Sequence, residues 1–125
     1  MFALAIALTI LLLLEALPSA LAGLTRSSAG MTRLDGLTRL GLLEQRNLGI
    51  VPLLGAIHLV GSAAVIAGLW GPAAGVAGAA AESAVFGWVL TRQLRAGDRG
   101  RALAAYELFL AMSLAVLAVD AIRLA

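Results

Sequence analysis

The sequence predicts an all-α integral membrane protein, a four-helix transmembrane bundle forming a single domain over 1–125, and three observations carry that prediction. Of 125 residues, 62% are hydrophobic and only 13% charged, and the mean hydropathy of +1.00 is well above that of ordinary soluble domains. Four apolar runs, at about 2–21, 48–69, 72–91 and 103–123, are each long enough to cross about 30 Å of hydrocarbon at about 1.5 Å per residue. The charges gather mainly between those runs, in 22–47 and 92–102.

The first run ends in Ala20-Leu21-Ala22, which has the small residues of a signal-cleavage site. No basic residue precedes it, and it is longer than a typical signal core, so it is expected to stay as the first membrane helix. Pro18 lies inside this run and removes the N–H that would bond the Leu14 carbonyl, leaving an acceptor beside Glu15. A protonated Glu15 then has that carbonyl, or a neighbour, to donate to.

The following segment holds a short repeat, "TRLDGL" at 32–37 and "TRLGLL" at 38–43. Steps of three drift around a helix axis, so these leucines do not collect on one face. Either a segment lying on lipid headgroups or an irregular loop fits, and Asp35 and Glu44 exclude a polybasic anchor.

All nine cations are arginines. Arg26, Arg33, Arg39 and Arg46 separate the first two spans, Arg92, Arg95, Arg99 and Arg101 the last two, and only Arg123 falls at the other side. The positive-inside bias therefore predicts a multi-pass protein of a bacterial cytoplasmic membrane with both arginine-rich loops cytoplasmic and both termini outside. Between the second and third runs, "GLWGPAAG" at 68–75 makes a tight turn, with Pro72 suited to the first turn of a helix. Trp70 and Trp88 fall at interfacial depths, where anchoring is the plain role.

Ionisable residues inside spans are costly, on the order of 3 kcal/mol at the bilayer centre, and so face protein or trapped water. The intramembrane candidates are Glu15, His58, Glu82 and Glu107. His58 and Glu82 fall near the middle of their spans, while Asp120 near the outer end is spaced for an ion pair with Arg123. At about 100° per residue, Gly71, Gly75, Gly78 and Glu82 share a narrow sector that Phe86 and Val89 extend, and His58 shares a face with Gly55, Gly61 and Ser62. Small residues let membrane helices approach closely, so the glycines mark packing faces and a tight hairpin brings His58 to Glu82. That contact reads either as interhelical glue or as a proton-handling or substrate site.

No soluble type of catalytic constellation is present. One histidine and no cysteine argue against His-rich metal ligation and iron–sulfur clusters. "GLWGPAAGVAG" lacks the ending of a phosphate loop. The net charge of +2 is scattered, which argues against nucleic acid.

The stretch "RNLGIVPLLGAIHLVGSAAVIAGLWGPAAGVAGAAAESAVFGWVLTRQLRAGD", residues 46–98, resembles the central part of the DoxX-like membrane proteins. The likeness lies in Arg46 and Gly49 at the entry, in "GLWGPAAG", in the alanine-rich third helix and in "LRAGD" after it. It implies a four-helix bundle in a bacterial membrane, some of whose relatives are small subunits linked to quinone or sulfur redox systems. Pro52 stands where many relatives carry a glutamate, so that family role is not carried over. A thinner likeness, four helices with one acid in the first and then "SAGMTRL" at 28–34, points to the small multidrug-resistance transporters, in which a first-helix glutamate exchanges protons for cations. The aromatic content of 5% is low for a path taken by lipophilic cations.

The expected function is an accessory or structural subunit of a membrane complex, with redox linkage as the resemblance implies. The alternative is a proton-coupled small-molecule carrier using Glu15 or the His58 and Glu82 pair. Nothing calls for an enzyme or a cofactor, although quinone or lipid contact stays open. The expected partners are membrane lipids and other membrane subunits or a second copy.

Overall fold

The computed structural model describes residues 2–25, 27–97 and 100–125, the side chain of Ala102 apart. Arg26, Asp98 and Arg99, which enter the arginine count and the "LRAGD" match, lie outside the described residues. Among those described, every regular element is helical: α1 (Phe2–Thr25), α2 (Ser28–Thr38), α3 (Ile50–Ala67), α4 (Pro72–Arg95) and α5 (Arg101–Leu124), with a 3₁₀ turn at Leu42–Glu44. Four of them are long and apolar enough to cross a membrane, at Phe2–Thr25, Ile50–Ala67, Pro72–Arg95 and Leu103–Leu124. The chain is a multi-pass membrane protein.

The long helices close a ring in which α1 packs on α3, α3 on α4, α4 on α5, and α5 returns to α1. One end of the ring carries the arginine-rich connections and the other the α3–α4 turn. Leu12, Val65, Ala79, Phe86 and Val116 fill the centre, while Leu14, Leu21, Val60 and Ile122 stand exposed on the outside, where lipid meets them.

The expected loop 22–47 contains a helix. Ser27 caps it, accepting from the Gly30 N–H at 3.1 Å. Leu37 and Thr38 are buried, and Leu34 packs against the core, so α2 folds onto α1 and α4 across the end of the bundle. Leu34 and Leu37, three residues apart, are enough of an apolar face to dock a helix this short. Asp35 accepts from the Gly41 and Leu42 N–H groups at 2.8 and 2.9 Å, which splits the repeat between helix and turn. Arg92 donates to the Thr38 carbonyl at 3.1 Å and ties the end of α2 to α4.

Small residues set the helix spacing. A Cβ on Gly23 of α1 would lie 2.8 Å from the Gly55 Cα of α3, and one on Gly78 of α4 would lie 2.6 Å from the Gly61 carbonyl. Gly55, Gly61, Gly75 and Gly78 are buried, as their faces predict. Gly71 is a correction: it is exposed and precedes α4 in extended conformation, φ −131°, because the helix begins at Pro72. The close approach expected of it belongs to Gly68, whose backbone abuts Gly75.

A clamp closes the α3–α4 turn end. Arg123 pairs with Asp120 at 3.0 Å and donates to the Gly68 and Leu69 carbonyls, each at 3.0 Å. Gly68 caps the C-terminus of α3 and Leu69 follows it, so neither carbonyl has a partner within the helix. The guanidinium also lies over the Phe2 ring of α1, 5.4 Å from its centroid. Asp120 is buried against Gly75, where a Cβ would overlap its carboxylate.

Gly75→Ala is therefore expected to destabilise the bundle by about 1–3 kcal/mol, the range for overpacking. Gly36→Ala, in the middle of α2 with open space around it, should be neutral or stabilising. Thermal unfolding of both variants in lipid nanodiscs checks the pair.

Candidate functional site

Glu82 has no exposed surface, and its carboxylate is held from α3. His58 Nδ1 lies 2.5 Å from Oε2, and the Ser62 hydroxyl donates to Oε1 at 3.3 Å. Four residues separate His58 from Ser62, so one turn of α3 presents both to the same carboxylate. Gly61 gives them room, since a Cβ there would lie 2.9 Å from Glu82 Oε1. The expected His58 and Glu82 contact is present.

The other side of His58 lines a cavity of about 330 Å³, at the lower end of the range for small-molecule sites. Glu15, Ser19 and Gly23 of α1 form one wall, and Arg33, Leu34 and the first turn of α2 form another. Val51, Gly55 and His58 of α3, Val85 and Val89 of α4 and Tyr106 of α5 complete it. Its polar groups cluster at the arginine-rich end. The Ser19 hydroxyl donates to Glu15 Oε1 at 3.2 Å, and Arg33 approaches the same oxygen at 4.0 Å. Arg33 also lies over the Tyr106 ring, 5.7 Å from its centroid.

Aromatic rings connect the two ends of the cavity wall. His58 packs on Phe86 with centroids 5.2 Å apart, Phe86 on Tyr106 at 6.2 Å, and Phe109 touches both Phe86 and Tyr106. These edge-to-face and tilted contacts pack the His58 ring on Phe86 of α4 and, through it, on α5.

Three of the four intramembrane candidates thus lie together, Glu15 and His58 along the cavity and Glu82 behind His58. Glu15 faces protein as expected, although its partner is Ser19 one turn on rather than the Leu14 carbonyl. Glu107, expected among the internal contacts, is exposed on the outside of α5. Tyr106 takes the inward position instead, and one residue of helix turns Glu107 about 100° away. Asp120 belongs to the clamp, far from the cavity. Arg33 and Tyr106 are the site residues that sequence reasoning missed. Among the described residues no three His, Cys, Asp or Glu side chains converge as a metal set.

The chain matches no protein-family model, no curated protein and no solved structure.

The buried pair is expected to behave as one unit. Removing one partner leaves the other unsatisfied, so His58→Leu and Glu82→Leu should each cost about 1–2 kcal/mol or more. The double variant should cost less than the sum of the two. A double-mutant cycle on unfolding in nanodiscs tests this, and strict additivity would mean the 2.5 Å contact carries no energy.

Proposed function

We propose that the protein is a small proton-coupled carrier, which takes a small molecule into the cavity at the arginine-rich end and handles a proton along Glu15, His58 and Glu82. The observation that carries this reading is continuity. Glu15 lines the cavity, His58 lines it too, and Glu82 lies directly behind His58. Interhelical glue alone needs no cavity, whereas a carrier needs titratable groups both at its ligand and in the membrane interior. Taking the arginine-rich face as cytoplasmic, the ligand enters from the cytoplasm.

Reconstituted into liposomes loaded with a pH-sensitive dye, the protein is expected to move protons when gradients of small organic acids and bases are applied. Glu15→Gln and Glu82→Gln should each lower that movement at least tenfold while remaining folded. Proton movement unchanged in both variants would sink the reading.

A second reading, the accessory subunit of a membrane complex, draws support from Glu107. This acid is exposed on α5 beside Leu108, which is also exposed, and a partner helix with a donor there would satisfy it. The DoxX-like resemblance points the same way. On this reading, native mass spectrometry of the protein extracted from its own membranes recovers a stoichiometric complex, which Glu107→Ala weakens and Glu15→Gln leaves intact. Recovery alone or as a homodimer would go against it.

A further inference from the structure

We infer that the cavity binds a small organic monoanion, an aromatic or branched monocarboxylate, and that one proton is taken up with each anion. The inference rests on the carrier reading above and names the substrate class of that site.

The mouth of the site presents a cation and the N-terminal end of a helix. Arg33 stands at the mouth with its side chain 56% exposed, against 17% for Glu15, so the guanidinium is open to a ligand from outside. The first turn of α2 lines the same mouth and brings the positive end of an 11-residue helix dipole.

The deep end is independent of the mouth, and it also points to an acceptor. His58 is more than nine-tenths buried, its Nδ1 is engaged with Glu82, and among the described residues Nε2 has no hydrogen-bond partner. With the Ser62 hydroxyl donating to Oε1, the shared proton lies between Nδ1 and Oε2. An ionised Glu82 beside a neutral imidazole would leave a net negative charge in the membrane interior, which is costly, so the pair is taken as net neutral: a neutral Glu82 beside a neutral imidazole, or a histidinium facing a carboxylate. In both of these uncharged forms of the pair, Nε2 carries a hydrogen, so His58 offers the cavity a donor. Leu54 and Val85 supply apolar wall between the two polar ends.

Charge balance then sets the proton count. Unliganded, Arg33 and Glu15 offset each other loosely, at the 4.0 Å limit of an ion pair. An anion that takes Arg33 leaves Glu15 without its counter-charge. The groups facing Glu15 are Ser19 on its own helix, Arg33 from α2, His58 from α3 with Glu82 of α4 behind it, and Tyr106 from α5. None of them adds a second positive charge while the His58 and Glu82 pair stays neutral. On this inference the proton that enters with the anion goes to Glu15, which as the acid donates to the Ser19 hydroxyl that it accepts from when ionised. Net charge in the site is unchanged: one anion and one proton enter together.

Three probes of nearly one shape isolate the charge: benzoate, benzamide and benzamidine. Isothermal calorimetry of the purified protein in nanodiscs at pH 7, in two buffers of different ionisation enthalpy, reads both affinity and proton number. Benzoate is expected to bind with one proton taken up, benzamide at least tenfold more weakly, and benzamidine not at all. Glu15→Gln should keep benzoate binding and lose the proton uptake. Arg33→Gln, at an exposed position where folding is retained, should lose at least tenfold in affinity. Equal benzoate binding by Arg33→Gln and the parent would overturn the inference, as would uptake of no proton. Preferred binding of benzamidine with proton release from Glu15 would overturn the anion and leave the proton-coupled site standing. Silence with all three probes, with no proton movement, would overturn both.

Discussion

A carboxyl group with no exposed surface, set inside a bundle that lipid surrounds, has to find its donors within the protein before the helices can close. Glu82 imposes that condition on this fold. His58 and Ser62 satisfy it from one turn of α3, and Gly61 and Gly78 let α3 and α4 come near enough for them to reach. The short α3–α4 turn and the glycine content of both helices follow from this requirement. Phe86, one turn along α4 from Glu82, packs on the imidazole as well.

The two ends of the bundle are finished differently. At the α3–α4 turn, Arg123 gathers α1, α3 and its own helix α5 around one guanidinium, and Asp120 neutralises it against the Gly75 backbone. At the arginine-rich end, α2 covers the ring through a small apolar contact and the tie from Arg92, and the cavity opens beneath it. The fold is tight where side chains replace missing helix bonds, and loose where a short helix rests on an end.

Much of this was legible in the sequence. The four spans followed from hydropathy and length, and the His58 and Glu82 contact from helical phase and a tight turn. The pairing of Asp120 with Arg123 followed from a spacing of three. The misses have physical causes. The helix at Ser28–Thr38 was hidden because an apolar face of two leucines makes almost no periodic signal. Its clearest sign was Ser27, an N-cap residue without the acid three positions on that completes a capping box. Gly71 was misplaced because a sector drawn at 100° per residue assumes that the helix has already begun. Glu107 was misplaced because depth along a helix does not say which way a side chain turns, and the neighbouring Tyr106 had the stronger claim on the interior. In sequence Arg33 is one loop charge among several, and only the fold of α2 brings it near Glu15.

The clamp at Arg123 bears on how a molecule could pass through. Among the described residues the cavity lies toward the arginine-rich end, with His58 at its inner wall, Glu82 behind that and the clamped turn beyond. A route to the far side has to separate α5 from the ends of α3 and α1, which means parting one guanidinium from a carboxylate, two carbonyls and an aromatic face together. On the carrier reading, a ligand entering the cavity would disturb the resting helix and one loose ion pair. On the carrier reading proposed above, the barrier to passage would therefore be lopsided, with admission the easy half of a cycle and discharge across the membrane the half that sets its pace.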